Sequence, residues 1–169
     1  MMTFLLKLLG TVLILGGATA GGFYAAERLS DNTRLLSGMI RYWSAFLMTL
    51  REAAEPGEIA RQLGCGSEFS VFPFAQEMAQ ASKESNDFFV VLETSFTRCD
   101  LPKDVMELLR PLGAVIGRNE LIQQLRTLDN VISELTRKRE TEESRQKKQG
   151  NLYRRLGFLG GVLAVVILL

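Results

Sequence analysis

The sequence predicts an all-α chain: a helical bundle with an apolar segment at each end. Two long stretches repeat apolar residues at alternating steps of four and three, the signature of helices that bury one face. The FFVVL string at residues 88–92 could argue a strand, but no partner strand is visible. Both ends pass abruptly from charged sequence to uncharged hydrocarbon.

From Leu8 to Ala26 the chain carries no charge, and at 1.5 Å per residue those roughly 19 positions nearly cross a bilayer core of about 30 Å. A transmembrane helix is expected over residues 1–27. The competing reading is a cleaved signal peptide, since Ala18, Thr19 and Ala20 follow an apolar run. Against it, Lys7 follows apolar residues and does not stand in a polar leader. Residues 156–169 are also uncharged but span only about 21 Å as a helix. Crossing then needs Arg154 and Arg155 to snorkel, Tyr153 to sit at the headgroups and the bilayer to thin; the other reading is a buried soluble helix. Each segment carries a small-xxx-small step, Gly17 to Gly21 and Gly157 to Gly161, which lets membrane helices pack closely as a hairpin or against neighbouring copies.

Between them, residues 28–155 form the expected helical domain. Lysines and arginines gather on its side of both segments, at Arg28, Arg34 and Arg41 and again at Arg145, Lys147, Lys148, Arg154 and Arg155. Such asymmetry favours a cytoplasmic domain. Leu36, Ile40, Trp43, Leu47, Leu50 and Ala54 give the first seam, ended by Pro56 and Gly57. A short helix fits Glu58 to Leu63, closed by a turn at Gly64-Cys65-Gly66; Ser67 caps a segment rich in phenylalanine. Ser85, Asn86 or Asp87 caps the next helix, containing Phe88, Phe89, Leu92 and Phe96. Asp100 is the expected N-cap of a helix over Leu101 to Arg110, with Pro102 in its first turn and a kink or fresh start at Pro111. The last helix begins near Glu120 on a seam of Leu121, Leu125, Leu128, Ile132 and Leu135, then turns almost wholly charged beyond Arg137.

Chemistry is sparsely supplied. The 169 residues hold no histidine and balance 20 basic against 19 acidic side chains, which removes the commonest general base and metal ligand and leaves no net field to gather nucleic acid. Cys65 and Cys99 match no metal spacing and read as reduced, partly buried thiols. No phosphate loop or nucleophile elbow occurs. Neither a metal nor a cofactor is expected. Glu140, Glu142 and Glu143 lie at helical spacing from Lys138, Arg139 and Arg145, an ion-paired surface.

Three blocks carry a family resemblance. The opening has Lys7, Leu8, Leu9, Gly10, Gly22 and Phe23; LGAVIGRNELIQQL is similar to an LGxxLGxxDxxxQ signature, with Leu112, Gly113, Gly117 and Gln124 on matching positions and Glu120 in place of Asp; the finish has Leu156, Gly157, Phe158 and Gly161. In this order the chain resembles the stage III sporulation protein AB family of endospore-forming bacteria. It departs from the family at AFLMTL, where an acidic LExEI stretch is usual, and at Ile116 for Leu.

The resemblance implies a helical domain like the cytoplasmic domains of type II secretion inner-membrane platform proteins. It also implies a place in the mother-cell membrane, in a channel complex joining mother cell and forespore. The expected partners are the secretion-type ATPase of the same operon, other membrane components of the channel and membrane lipid. The expected role is a non-enzymatic platform, with a general secretion or pilus platform and a small membrane-bound hydrolase as alternatives. Glu120 and Gln124, a turn apart, are the candidate partner contact, placed outside the core, with helix capping as the other reading; Gly113 and Gly117 are the candidate structural hub.

Overall fold

The computed structural model describes the backbone of residues 32–168 and the side chains of residues 32–145. The chain divides into two units, Leu36–Lys138 and a second composed of Met1–Leu35 with Arg139–Leu169. Among the described residues every regular element is helical.

Helix α1 covers residues 32–51, of which 36–51 belong to the first unit. Leu36, Trp43, Leu47 and Leu50 of its expected seam are buried, and Met39, Tyr42 and Phe46 widen the stripe. The aromatic residues make the centre of the core. Tyr42 meets Trp43, Phe69 and Phe74 edge-on at ring separations of 5.2–5.6 Å, an arrangement that adds to the stabilisation from burial itself, and Phe46 meets Phe88 tilted at 5.6 Å. The Tyr42 hydroxyl and Trp43 Nε1 are buried without a hydrogen-bond partner among the described residues, and burial raises the Tyr42 pKa well above its ordinary value, so the group is neutral.

Helix α1 does not run to Pro56. It stops at residue 51, Ala53 takes a left-handed φ of 57°, and Pro56 instead opens α2, Pro56–Cys65. Proline at a first helical position loses no hydrogen bond, which is why the Pro-Gly pair starts an element here. A 3₁₀ turn, Ser67–Phe69, leads to α3, Pro73–Glu84, where Phe74, Ala75, Met78 and Ala79 are buried.

Asp87 is the N-cap of α4, Phe88–Cys99, its carboxylate accepting from the Phe89 N–H at 2.9 Å. FFVVL is thus helical. Asp100 differs from expectation: it closes α4 in the left-handed conformation (φ 47°, ψ 49°), and Pro102 holds the N-cap position of α5, Lys103–Val115. Aspartate tolerates that backbone region, while proline pushes the residue before it out of the helical region, so the new helix starts only beyond Pro102. Pro111 lies inside α5 without a fresh start. Pro111 and Glu107, whose carbonyl loses its helical partner, both lie on the exposed side of the helix.

Helix α6 runs over Leu121–Leu168. Its buried stripe is Gln124, Leu128, Val131 and Leu135, with Leu121 exposed and Leu125 and Ile132 half-buried. The expected seam holds at Leu128 and Leu135, while Gln124 and Val131 take the buried places expected of Leu125 and Ile132. The doublet Val131-Ile132 lets either residue face the core, and the turn before the helix favours the side that buries a glutamine.

Of the second unit, the described side chains include Arg139–Glu143 and Arg145–Glu142 pairs at 3.4 and 3.6 Å, at helical neighbour spacing. Gly17 and Gly21 lie outside the described residues, and of Gly157 and Gly161 only the helical backbone is described. Among the described residues no helix is long and apolar enough to cross a membrane; the apolar stretch 8–26 and the side chains of 156–169 lie outside that search.

Candidate functional site

The LGAVIG turn joins α5 to α6. Gly113 is buried in the contact between α5 and α4: a Cβ there would stand 2.9 Å from Phe89 Cδ2, tighter than carbon atoms approach. Gly117 needs glycine for a different reason. Its φ is +77°, a left-handed value, while the nearest atom to a built Cβ is Pro56 Cγ at 3.9 Å, so backbone conformation and not crowding sets the requirement.

Gln124 holds this turn. Its Oε1 accepts from the Gly117 N–H at 3.2 Å and its Nε2 donates to the Asn119 carbonyl at 2.5 Å. The side chain is 8 % exposed, so the placement outside the core expected for Gln124 is corrected. A buried amide must be hydrogen-bonded, and both ends of this one are spent on backbone. Glu120 is exposed, as expected; its carbonyl accepts from the Gln123 and Gln124 N–H groups at 3.0 and 3.1 Å, which starts α6. Its carboxylate makes no ion pair among the described residues. The glutamine is a latch, and of the candidate pair only Glu120 presents its side chain outward.

Ion pairs tie the turn to its surroundings. Asp87, already capping α4 with one oxygen, takes Arg118 on the other at 2.7 Å, and Glu93 of α4 pairs with Arg110 of α5 at 3.2 Å. At the far end of this unit Lys138 of α6 bonds Asp104 in the first turn of α5. The Lys138 hydrogen bond holds the Asp104 carboxyl below the usual carboxylate range. A lowered folded-state pKa contributes stability above the unfolded value, lost as pH falls through the folded one. Lys138→Met is therefore expected to flatten the acid limb of melting temperature against pH, below about pH 4; melting curves between about pH 7 and pH 3 test this, and an unchanged limb contradicts it.

The described carboxylates are dispersed over the surface in such pairs, Glu68 with Arg41 and Glu84 with Arg98 among them, and no group of three or more metal-ligating side chains occurs among the described residues. Cys65 is exposed, not partly buried, whereas Cys99 is half-buried and its thiol is pushed up to about 11, by burial first and by Glu77 second.

Two features escaped the sequence reading. On α6 the face opposite the buried stripe is polar and open, at Arg126, Asn130 and Ser133; the two-residue offset from the true seam gives that face once the register is known. Phe89, Val90, Leu121 and Ile122 are exposed, although helical spacing had assigned Phe89 and Leu121 to buried faces.

Comparison with known proteins bears on what this domain serves. The family model described as stage III sporulation protein AB matches residues 7–169. A curated relative, stage III sporulation protein AB of Bacillus subtilis (strain 168), is 25% identical over 175 residues, which cover 98% of this chain and 100% of the relative. No solved structure matches at a significant level. With the match running through the opening, the LGAVIG turn and the finish alike, the chain belongs to the stage III sporulation protein AB family.

Proposed function

We propose that this chain is a non-enzymatic platform of a sporulation channel complex, holding a cytosolic secretion-type ATPase against the mother-cell membrane and passing its movements to the channel. The observation that carries the reading is family membership over residues 7–169. The domain would resemble the cytoplasmic domains of secretion platform proteins, anchored by the apolar stretches 8–26 and 156–169, whose glycine steps would pack the anchors together. The surface offered to the ATPase is the polar side of α6 at Arg126, Asn130 and Ser133 together with Glu120, which precedes the helix; all four are exposed.

Two experiments test the proposal. The full chain extracted from membranes should co-purify with the ATPase of the same operon; failure with folded ATPase in excess contradicts docking. Exposed Cys65 reports topology: a membrane-impermeant maleimide should leave it unlabelled in intact cells and label it after lysis, and labelling before lysis contradicts a cytoplasmic domain.

A further inference from the structure

The backbone that carries Glu120 is bonded on both sides. Upstream, the Arg118 and Asn119 N–H groups both donate to the Val115 carbonyl, at 3.3 and 3.2 Å; downstream, the Glu120 carbonyl takes the Gln123 and Gln124 N–H groups. Side chains complete the frame. Gln124 Nε2 donates to the Asn119 carbonyl, which belongs to the peptide unit leading into Glu120, while Gln124 Oε1 holds the Gly117 N–H. The Asn119 side chain is tied as well, its Nδ2 donating to Gln123 Oε1 at 2.9 Å. Within this frame the exposed Glu120 carboxylate makes no hydrogen bond or ion pair among the described residues.

A buried amide is a demanding choice for this place. The other members of the stripe are Leu128, Val131 and Leu135, so an apolar side chain would continue it without the cost of burying a polar group. What glutamine adds is a grip on the peptide plane from which Glu120 projects. Holding that plane before a partner arrives removes part of the ordering cost that the same carboxylate on a loose turn would meet on binding.

We infer that Gln124 is a positioning residue: it touches no partner itself and acts through Glu120, whose carboxylate it holds ready for a cationic group of the ATPase. The inference rests on the docking surface proposed above and divides its labour, with contact at Glu120 and support at Gln124.

The full chain in detergent is titrated with the ATPase as parent, Glu120→Ala, Gln124→Met and the double variant, methionine keeping the length of glutamine while removing both hydrogen bonds. Each single change should weaken binding at least about threefold, and the double variant should bind no more weakly than Glu120→Ala, because Gln124 has nothing to position once the carboxylate is gone. Salt supplies the readout that a purely structural role would not move. Raising it from about 50 to about 300 mM should weaken the parent more than Glu120→Ala, and Gln124→Met, although it removes no charge, should show the shallower dependence of Glu120→Ala. Asn119→Ala, at an exposed position, loses the bond to Gln123 and should shift affinity and salt dependence the same way by a smaller factor; it decides the matter if Gln124→Met melts below the assay temperature. Losses that add, or a variant of the frame that binds and responds to salt as the parent does, overturn the inference and leave the docking surface standing. A parent that does not bind, or a Glu120→Ala chain that binds as the parent does, overturns the contact at Glu120 and the inference with it.

Discussion

Gly64→Ala is expected to destabilise the protein by about 3 kcal/mol, whereas Gly57→Ala, in the same helix, should change stability by less than about 1 kcal/mol and in the favourable direction. A Cβ on Gly64 would collide with the Ala75 carbonyl oxygen and the Ala79 Cβ of α3. One obstacle is backbone and the other is the shortest of side chains, so neither can swing aside, and α2 and α3 must separate. On Gly57 the only neighbour of a Cβ within 4 Å among the described residues is the Arg61 Nη1 at 3.9 Å, and alanine there merely removes unfolded-state freedom. Thermal melting of the two variants in the full chain checks the contrast. Equal shifts would mean that α2 and α3 do not meet as closely as described.

Gly117→Val should lower stability by about 2 kcal/mol, a fall in melting temperature on the order of 10 °C for a domain of this size. The cause differs from that at Gly64, because space is open around Gly117 and only its φ of +77° excludes a β-branched residue. Asparagine tolerates that backbone region, so Gly117→Asn should recover at least half of the loss. If asparagine costs as much as valine, the turn does not require a left-handed residue.

The helices of this fold were legible where one local signal decided the matter. Asp87 caps α4 by its own carboxylate, and the α1 seam follows from Leu36, Trp43, Leu47 and Leu50. Signals that depend on a second segment were not legible. Gly64 looks like an ordinary turn glycine until α3 brings Ala75 and Ala79 against it, although the small residues four apart in AQEMA were a hint. Asp100 and Pro102 together admit either a cap or a stop, and only the backbone chooses. The register of α6 turned on Gln124: polar in sequence, it reads as surface, yet two backbone partners in a turn closed by Gly117 make its burial affordable. That glutamine carried the family signature for a structural reason, which leaves Glu120 as the outward-facing member of the candidate pair.

Docking through Glu120 and the polar side of α6 is tested most directly by titrating the full-length, detergent-extracted chain with the ATPase and comparing Kd for the parent and for Glu120→Lys combined with Arg126→Glu. Both residues are exposed, so melting should shift by no more than about 0.5 kcal/mol in equivalent stability. Reversing two charges at a contact should weaken binding at least about tenfold, equal to roughly 1.4 kcal/mol. A double variant that melts as the parent does and binds the ATPase with the same Kd would contradict the platform surface placed on α6.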